Sequence, residues 1–249
     1  MVARMASAPN SLRRLEEILG HRFGRPELLE EALTHSSSAE GHNERLEHLG
    51  DAVLNLVAAE MLFTRFPAAR EGVLTQAKSL LVARETLARV GERLDLGAWL
   101  RVGGGLDPAR ALPRSLLGNA VESLAGAIYL DCGGVHGPEG GGLAVCARVA
   151  TDWLAPELEE LPRRHARAHA KMILQDWSQA RGGAPPEYAV TATHEHPDTR
   201  AFCVRATLAG RQFAPAWAAS KREAERLAAW EAVLELRAAG EAIGADGLA

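Results

Sequence analysis

Along most of the first 155 positions, apolar residues recur at intervals of three and four, the spacing of a helix with one buried face. "SLRRLEEIL" and "RPELLEEALTH" read as short helices, the second with Pro26 at a favourable first-turn position. A longer helix is predicted from Asn43, a suitable N-cap, to about Phe66. "EGVLTQAKSLLVARETLARVGERL" reads as one or two more, and "RSLLGNAVESLAGAIYLDCGG" as another that Gly133 and Gly134 end. At "PELEELP", Pro156 to Pro162, the grammar changes. "HAKMILQDWSQARGG" is a helix with a glycine stop, and "PEYAVTATHE", "RAFCVRATLAG" and "RQFAPAW" alternate as strands do. "SKREAERLAAWEAVLEL" closes the chain as a helix. The pattern therefore predicts an all-α part over 8–155, a linker at 156–164, an α-β-β-β-α part over 165–240, and a flexible tail at 241–249.

Within "ERLEHLGDAVL", Leu46, Leu49, Val53 and Leu54 mark the core face. Glu44, Glu47 and Asp51 fall at i, i+3 and i+7, within an arc of roughly 60° at about 100° per residue. Gly50 lies in the same helix, where glycine costs about 1 kcal/mol relative to alanine. Close approach of a second backbone would justify it. In "GNAVESLAGAIYLD", Asn119 and Glu122 share a face, and Gly118, Ala120, Ala125, Gly126 and Ala127 are small enough for helices to pack closely. Two readings follow. The acids form an ordinary solvated face, or Glu47, Asp51, Asn119 and Glu122 converge on a hard divalent cation. Oxygen-only ligands point to Mg²⁺, with Mn²⁺ as a substitute.

Composition adds bounds. A chain of 249 residues, 47% apolar and 24% charged, is long enough for two domains with their own cores. No apolar run approaches the roughly 18 residues that span a bilayer, and the first residues lack a secretory apolar segment, so a cytoplasmic, membrane-free protein is expected. Cys132, Cys146 and Cys203 are scattered without metal spacing and read as reduced thiols. "VGGGLDPAR" and "GGVHGPEGGG" lack the context of a phosphate-binding loop or a dinucleotide fingerprint; both read as loops, and no organic cofactor is expected. The net charge of −4 conceals a division: residues 1–162 hold 16 Lys and Arg against 22 Asp and Glu, whereas residues 163–222 hold 10 against 4. An acidic half joined to a basic segment fits a metal site coupled to a polyanion-binding surface.

"HNERLEHLGDAVL" resembles the signature segment of ribonuclease III, and "ALTHSS", "FPAAREGVLTQAKSLLV" and "LLGNAVESLAGAIYLD" follow in that family's order. The C-terminal part resembles a double-stranded RNA-binding domain that ends in "SKREAERLAA". The resemblance implies an all-α endonuclease domain and a small α+β RNA-binding domain. It also implies a homodimer that hydrolyses duplex RNA with a divalent metal, leaves 5′-phosphate and 3′-hydroxyl ends with a short 3′ overhang, and processes ribosomal precursors. Metal and active-site positions fall on Glu47, Asp51 and Glu122, with Asp51 and Glu122 as the catalytic pair. Asn119 stands where an aspartate is usual, which implies weaker metal binding. Glu44 and Glu71 match further acids near the cleavage site or the subunit interface, and His48 stands where an aromatic residue enters the partner.

In the C-terminal part, Ser220 and Glu223 have the spacing of a capping box, so a helix should start there. Lys221 and Arg222 then oppose the helix dipole in its first turn, and phosphate would relieve the conflict. By resemblance, Gln175 and Asp176 on the preceding helix and His194 and His196 in the loop between strands face minor grooves. "APAWAASKRE" has alanines where the related loops are glycine-containing and more basic, which implies reduced affinity.

Overall fold

A computed structural model describes residues 9–38, 41–103, 112–137, 141–196, 198–244 and 248. The chain divides into two compact units, one of Met1–Pro67 with Leu74–Glu159 and one of Ala68–Val73 with Glu160–Ala249.

The helices are α1 (Pro9–Leu19), α2 (Pro26–Ala32), α3 (Glu44–Arg65), α4 (Glu71–Leu81), α5 (Arg84–Arg93), α6 (Arg114–Asp131) and α7 (Gly141–Ala168). The stretch read as one or two helices is thus two, α4 and α5. Core position explains the composition of α6: Leu116, Leu117, Val121, Leu124 and Ile128 are buried together with Gly118, Ala120, Ala125, Gly126 and Ala127. A helix that buries nearly every side lies inside its domain, and its small residues let neighbours reach its backbone. A Cβ on Gly50 of α3 would collide with the Glu122 carbonyl and lie 2.8 Å from the Gly126 nitrogen, while one on Gly126 would collide with the Leu46 carbonyl. On the α5 side, a Cβ on Gly91 would lie 2.9 Å from the Leu117 oxygen. The glycine in the acid-bearing helix is therefore repaid by backbone contact with α6.

Two charged anchors hold this unit's ends. Asp131 closes α6 by accepting from the Gly24 and Arg25 amides at 3.0 and 2.8 Å, with His21 Nε2 at 2.9 Å. These partners hold its carboxyl below the usual range despite burial. On α7, Glu157 is 6% exposed and bridges Arg89 Nη2 at 2.6 Å and Arg93 Nη1 at 2.7 Å, both from α5.

Several local expectations change. Asn43 occupies the N-cap of α3, but its side chain donates to the Ala32 carbonyl at 3.3 Å and accepts no bond from the helix's own amides. Residues 156–164, expected as a linker, lie within α7 in spite of Pro156 and Pro162. Gly133 and Gly134 follow α6 at φ 87° and 59°, and a short 3₁₀ turn, Gly134–His136, stands in the second glycine-rich stretch. Much of the first glycine-rich stretch, 104–111, lies outside the described residues.

The second unit contains α8 (Ala170–Gln179), β1 (Glu187–His196), β2 (Thr199–Leu208), β3 (Arg211–Gln212), β4 (Ala216–Ala218) and α9 (Lys221–Ala238). β2 pairs antiparallel with β1, β3 and β4. The predicted third strand is divided into β3 and β4 around Ala214 and Pro215, where proline supplies no ladder donor and the Ala214 amide turns to Glu235 at 2.8 Å. Alternation in β2 places Phe202, Val204, Ala206 and Leu208 against Ile173 and Leu174 of α8 and Ala228, Ala232 and Val233 of α9. The tail predicted as flexible from 241 is tied down at Ile243, which is 4% exposed in this core and whose carbonyl accepts from Arg237 Nε at 3.1 Å.

No helix among the described residues is long and apolar enough to cross a membrane.

Candidate active site and RNA-binding surface

Four helices contribute to the acidic centre. Contact between Gly50 and α6 brings the α3 face bearing Glu47 and Asp51 beside the α6 face bearing Asn119 and Glu122. Burial pushes Glu122 up to about 7, and the negative charges of Asp51 and Glu47 add to that rise while Arg84 opposes it. Glu47 is also raised, by burial and then by Glu44; a side-chain hydrogen bond from Asn119 and the charges of Arg84 and His35 work against the rise. The expected residues are thus electrostatic neighbours.

They do not form a tight cage. Among the described residues, the group whose ligand atoms all lie within 4.8 Å of one another is His21, Asp131 and Cys132. There, Asp131 is already occupied by His21, Gly24 and Arg25, and burial pushes the Cys132 thiol up, which marks a structural anchor. At the acidic centre, Asp51 is exposed and Glu47 and Glu122 are half-buried, so rotation of these side chains would draw them onto a cation. Oxygen donors of this number and charge fit a hard divalent ion.

Sequence reading missed the residues around the acids. Asn55 Nδ2 donates to Asp51 Oδ1 at 2.9 Å, and Lys78 Nζ of α4 donates to Asn55 Oδ1 at 3.1 Å. The i+4 spacing of Asp51 and Asn55 was a usable signal; nothing in the spacing linked Lys78. Arg84 begins α5, where its Cγ would lie 3.6 Å from a Cβ on Gly118, the residue before Asn119.

The other predicted positions are less central. Glu44 is exposed, with His42 Nδ1 at 3.6 Å, and it lines a groove with Leu28, His48, Leu49 and Leu130. Exposed Glu71 occupies the first turn of α4, where its charge suits the helix dipole. Along α3, Leu49, Ala52, Leu56, Ala59 and Phe63 form a stripe, with Leu56 53% and Phe63 72% exposed. That is an unusual density of apolar surface for one helix.

In the second unit, Ser220 caps α9 by accepting from the Glu223 amide at 3.2 Å. The Glu223 carboxylate holds Arg226 Nε at 3.0 Å, so the capping box is made on one side. Lys221 and Arg222 are exposed in the first turn, and Arg222 lines an open groove with His169, Lys171, Ser220 and Arg226. Gln175 and Asp176 are exposed on α8. His194 and His196 belong to β1 rather than to a loop, paired with Ala201 and Thr199; the ladder extends almost to the turn.

A ribonuclease-III-like family model matches residues 25–138, and a double-stranded RNA binding motif matches 170–236. Ribonuclease 3 of Azotobacter vinelandii is 41% identical over 230 residues, covering 91% of this chain and 96% of that protein. Ribonuclease 3 of Bordetella petrii is 41% identical over 236 residues, 93% of this chain and 89% of that protein. The nuclease domain of ribonuclease III from Campylobacter jejuni, in a structure that addresses a region involved in dimer formation, covers 58% of this chain and 96% of that one. It is 31% identical, with a TM-score of 0.50. With acids gathered on two touching helices in one unit, a basic helix start in the other, and relatives that span nearly its whole length, this chain is a double-strand-specific endoribonuclease and belongs to the ribonuclease III family.

Proposed function

We propose that the acidic centre binds a divalent cation, Mg²⁺ or in its place Mn²⁺, through Glu47, Asp51 and Glu122 with Asn119 beside them, and hydrolyses the phosphodiester by direct attack of water. The observation that carries this reading is the electrostatic coupling of Glu122 to Asp51 and Glu47 across the α3–α6 contact. Such an ion lowers the pKa of water and offsets charge on the scissile phosphate. Asp51, oriented by Asn55, and Glu122 are the catalytic pair; Glu122 must lose its proton before it can serve. Products carry 5′-phosphate and 3′-hydroxyl ends.

Two copies acting on opposite strands would leave the short 3′ overhang. The α3 stripe supports a homodimer, because an isologous interface needs a surface that meets its own copy. Glu44 and His48 line the adjoining groove and take interface or substrate roles, as does Glu71. In the second unit, Ser220, Lys221 and Arg222 hold phosphate at the start of α9, while Gln175, Asp176, His194 and His196 face the minor grooves of A-form RNA. Processing of ribosomal precursors and other transcripts in the cytoplasm is the expected cellular work. The test is incubation of labelled duplex RNA with the protein in Mg²⁺ and then with EDTA. Cleavage that stops on chelation and leaves 5′-phosphate ends is expected; binding without cutting at any Mg²⁺ or Mn²⁺ concentration would instead identify a regulator that has lost catalysis through Asn119.

A further inference from the structure

We propose that the Trp217 indole, on the outer face of the sheet in the second unit, is a stacking platform for an unpaired nucleobase of an RNA strand that runs on from the duplex. This inference rests on the duplex-RNA reading of that unit and narrows the substrate class to duplexes that carry a single-stranded extension.

Strand register places the indole. β4 pairs with β2 so that Ala216, Trp217 and Ala218 stand opposite Val204, Cys203 and Phe202. Phe202 and Val204 belong to the core between the sheet and the helices, and Ala216 and Ala218 pack against that core. Successive side chains on a strand alternate, so Cys203 and Trp217 point to the other face. Cys203 is nevertheless only 5% exposed there, whereas Trp217 is 50% exposed. On the β1 side Cys203 meets Ala192, and Ala201 precedes it on the same face of β2. Neither is large enough to cover a thiol. Directly opposed side chains stand about 5 Å apart at Cβ, so the indole covers Cys203. One ring face rests on the sheet, and the other is presented to solvent.

The surroundings select the occupant. Apart from Cys203 and Trp217, the apolar residues in register on this face of β1 and β2 are Ala189, Ala192 and Ala201, too little for a protein interface of about 800 Å² per partner. Arg205 lies two residues beyond Cys203 on the same face, a diagonal neighbour of Trp217 within reach of a long side chain. Its Nη1 donates to the Phe213 carbonyl at 3.2 Å, and its other donors suit a phosphate. An open ring face beside a cation matches a nucleotide, whose base stacks while its phosphate is paired. The excess of Lys and Arg in residues 163–222, 10 against 4 Asp and Glu, favours the same polyanion. β4 also leads directly to the Ser220 cap of α9. Trp217 is at most about 11 Å of chain from that cap, so a strand that leaves the duplex at the start of α9 meets the indole early in its unpaired part.

Fluorescence anisotropy in EDTA compares a blunt RNA duplex with the same duplex carrying unpaired adenosines on its 3′ end or on its 5′ end. One of the tailed duplexes should bind the native protein about tenfold more tightly than the blunt one, the gain from stacking a base on an aromatic ring. Trp217→Leu, which still covers Cys203 but offers no ring, should lose that gain and bind the blunt duplex as before, while Trp217→Phe should keep most of it. With an abasic tail, the native protein and Trp217→Leu should bind equally. Arg205→Gln should lower the salt slope of the gain by about 0.7. Addition of the tailed duplex should also quench indole fluorescence more in the native protein than in Trp217→Phe, a readout independent of how well the leucine variant folds. Equal affinity of the native protein for blunt and tailed duplexes, or a gain that survives in Trp217→Leu, would overturn the inference while leaving duplex binding intact. So would a changed sedimentation coefficient of Trp217→Leu without RNA and no effect of the tail, which would give this face to a second copy of the chain. Binding of none of the RNAs would remove the duplex reading and the inference with it.

Discussion

The acidic centre on α3 and α6 and the basic start of α9 solve opposite problems. At α9, cap, cations and helix start are consecutive residues, 220 to 222, and one hydrogen bond from the Glu223 amide fixes their geometry. At the acidic centre, residues some seventy positions apart act together only because two backbones touch. A local site tolerates loss of one member gradually. A centre assembled across a helix contact fails when the contact fails.

That difference orders the expected effects. Gly50→Ala should be the most damaging, since the added methyl would strike the backbone of Glu122 and α6, buried on most of its sides, has little room to shift. A loss of about 3 kcal/mol or more is expected. Thermal unfolding should show the first unit melting early, and an unshifted transition would mean that the helices do not depend on the close approach. Glu122→Gln should remove cleavage while duplex RNA binding survives; measurable turnover would reject its catalytic role.

The same substitution tests the electrostatics through stability. Burial beside Asp51 and Glu47 lets Glu122 in the folded protein hold its proton up to about 7, above the ordinary glutamate value of 4.5. Between these values the unfolded chain releases the proton first, so stability falls as pH rises through this window. In EDTA, Glu122→Gln should therefore be more stable than the native protein at pH 8, by about 2 kcal/mol, with the difference lost near pH 4. Chemical denaturation at the two pH values would detect it, and an equal difference at both would separate the effect from ionisation.

Smaller effects belong to the exposed surfaces. Phe63→Glu places a charge in the α3 stripe and should shift the sedimentation coefficient from dimer toward monomer at micromolar concentration; an unchanged assembly would move the interface elsewhere. Lys221→Ala should weaken duplex binding with a salt slope reduced by about one, without altering cleavage at saturating RNA. An unchanged slope would reject the phosphate contact. Ser220→Ala removes one cap bond and should cost about 1 kcal/mol in the second unit.

Legibility followed chain distance. Helical spacing revealed that Glu44, Glu47 and Asp51 share a face, and alternation revealed the core side of β2, because both depend on neighbours in sequence. The gap between β3 and β4 escaped the strand pattern, although Pro215 marked it. Pro156 and Pro162 marked the boundary, since the two units divide between Glu159 and Glu160, but not its conformation: α7 continues through it, because tertiary packing can outweigh a local cost of about 3 kcal/mol per interior proline. Asn43 had the right position and the wrong partner. Its amide found the Ala32 carbonyl, a choice set by how α2 approaches α3.

From sequence alone came the two-part organisation, the helix and strand grammar, the charge division and the identity of the acids, all consequences of residue type and short-range period. Only the folded chain decided that Asn55 and Lys78 line up in hydrogen bonds beside Asp51, and that burial next to Asp51 and Glu47 pushes Glu122 up to about 7. Each of these depends on desolvation and on Coulomb interaction across space, which scale with distance between atoms and have no counterpart in distance along the chain.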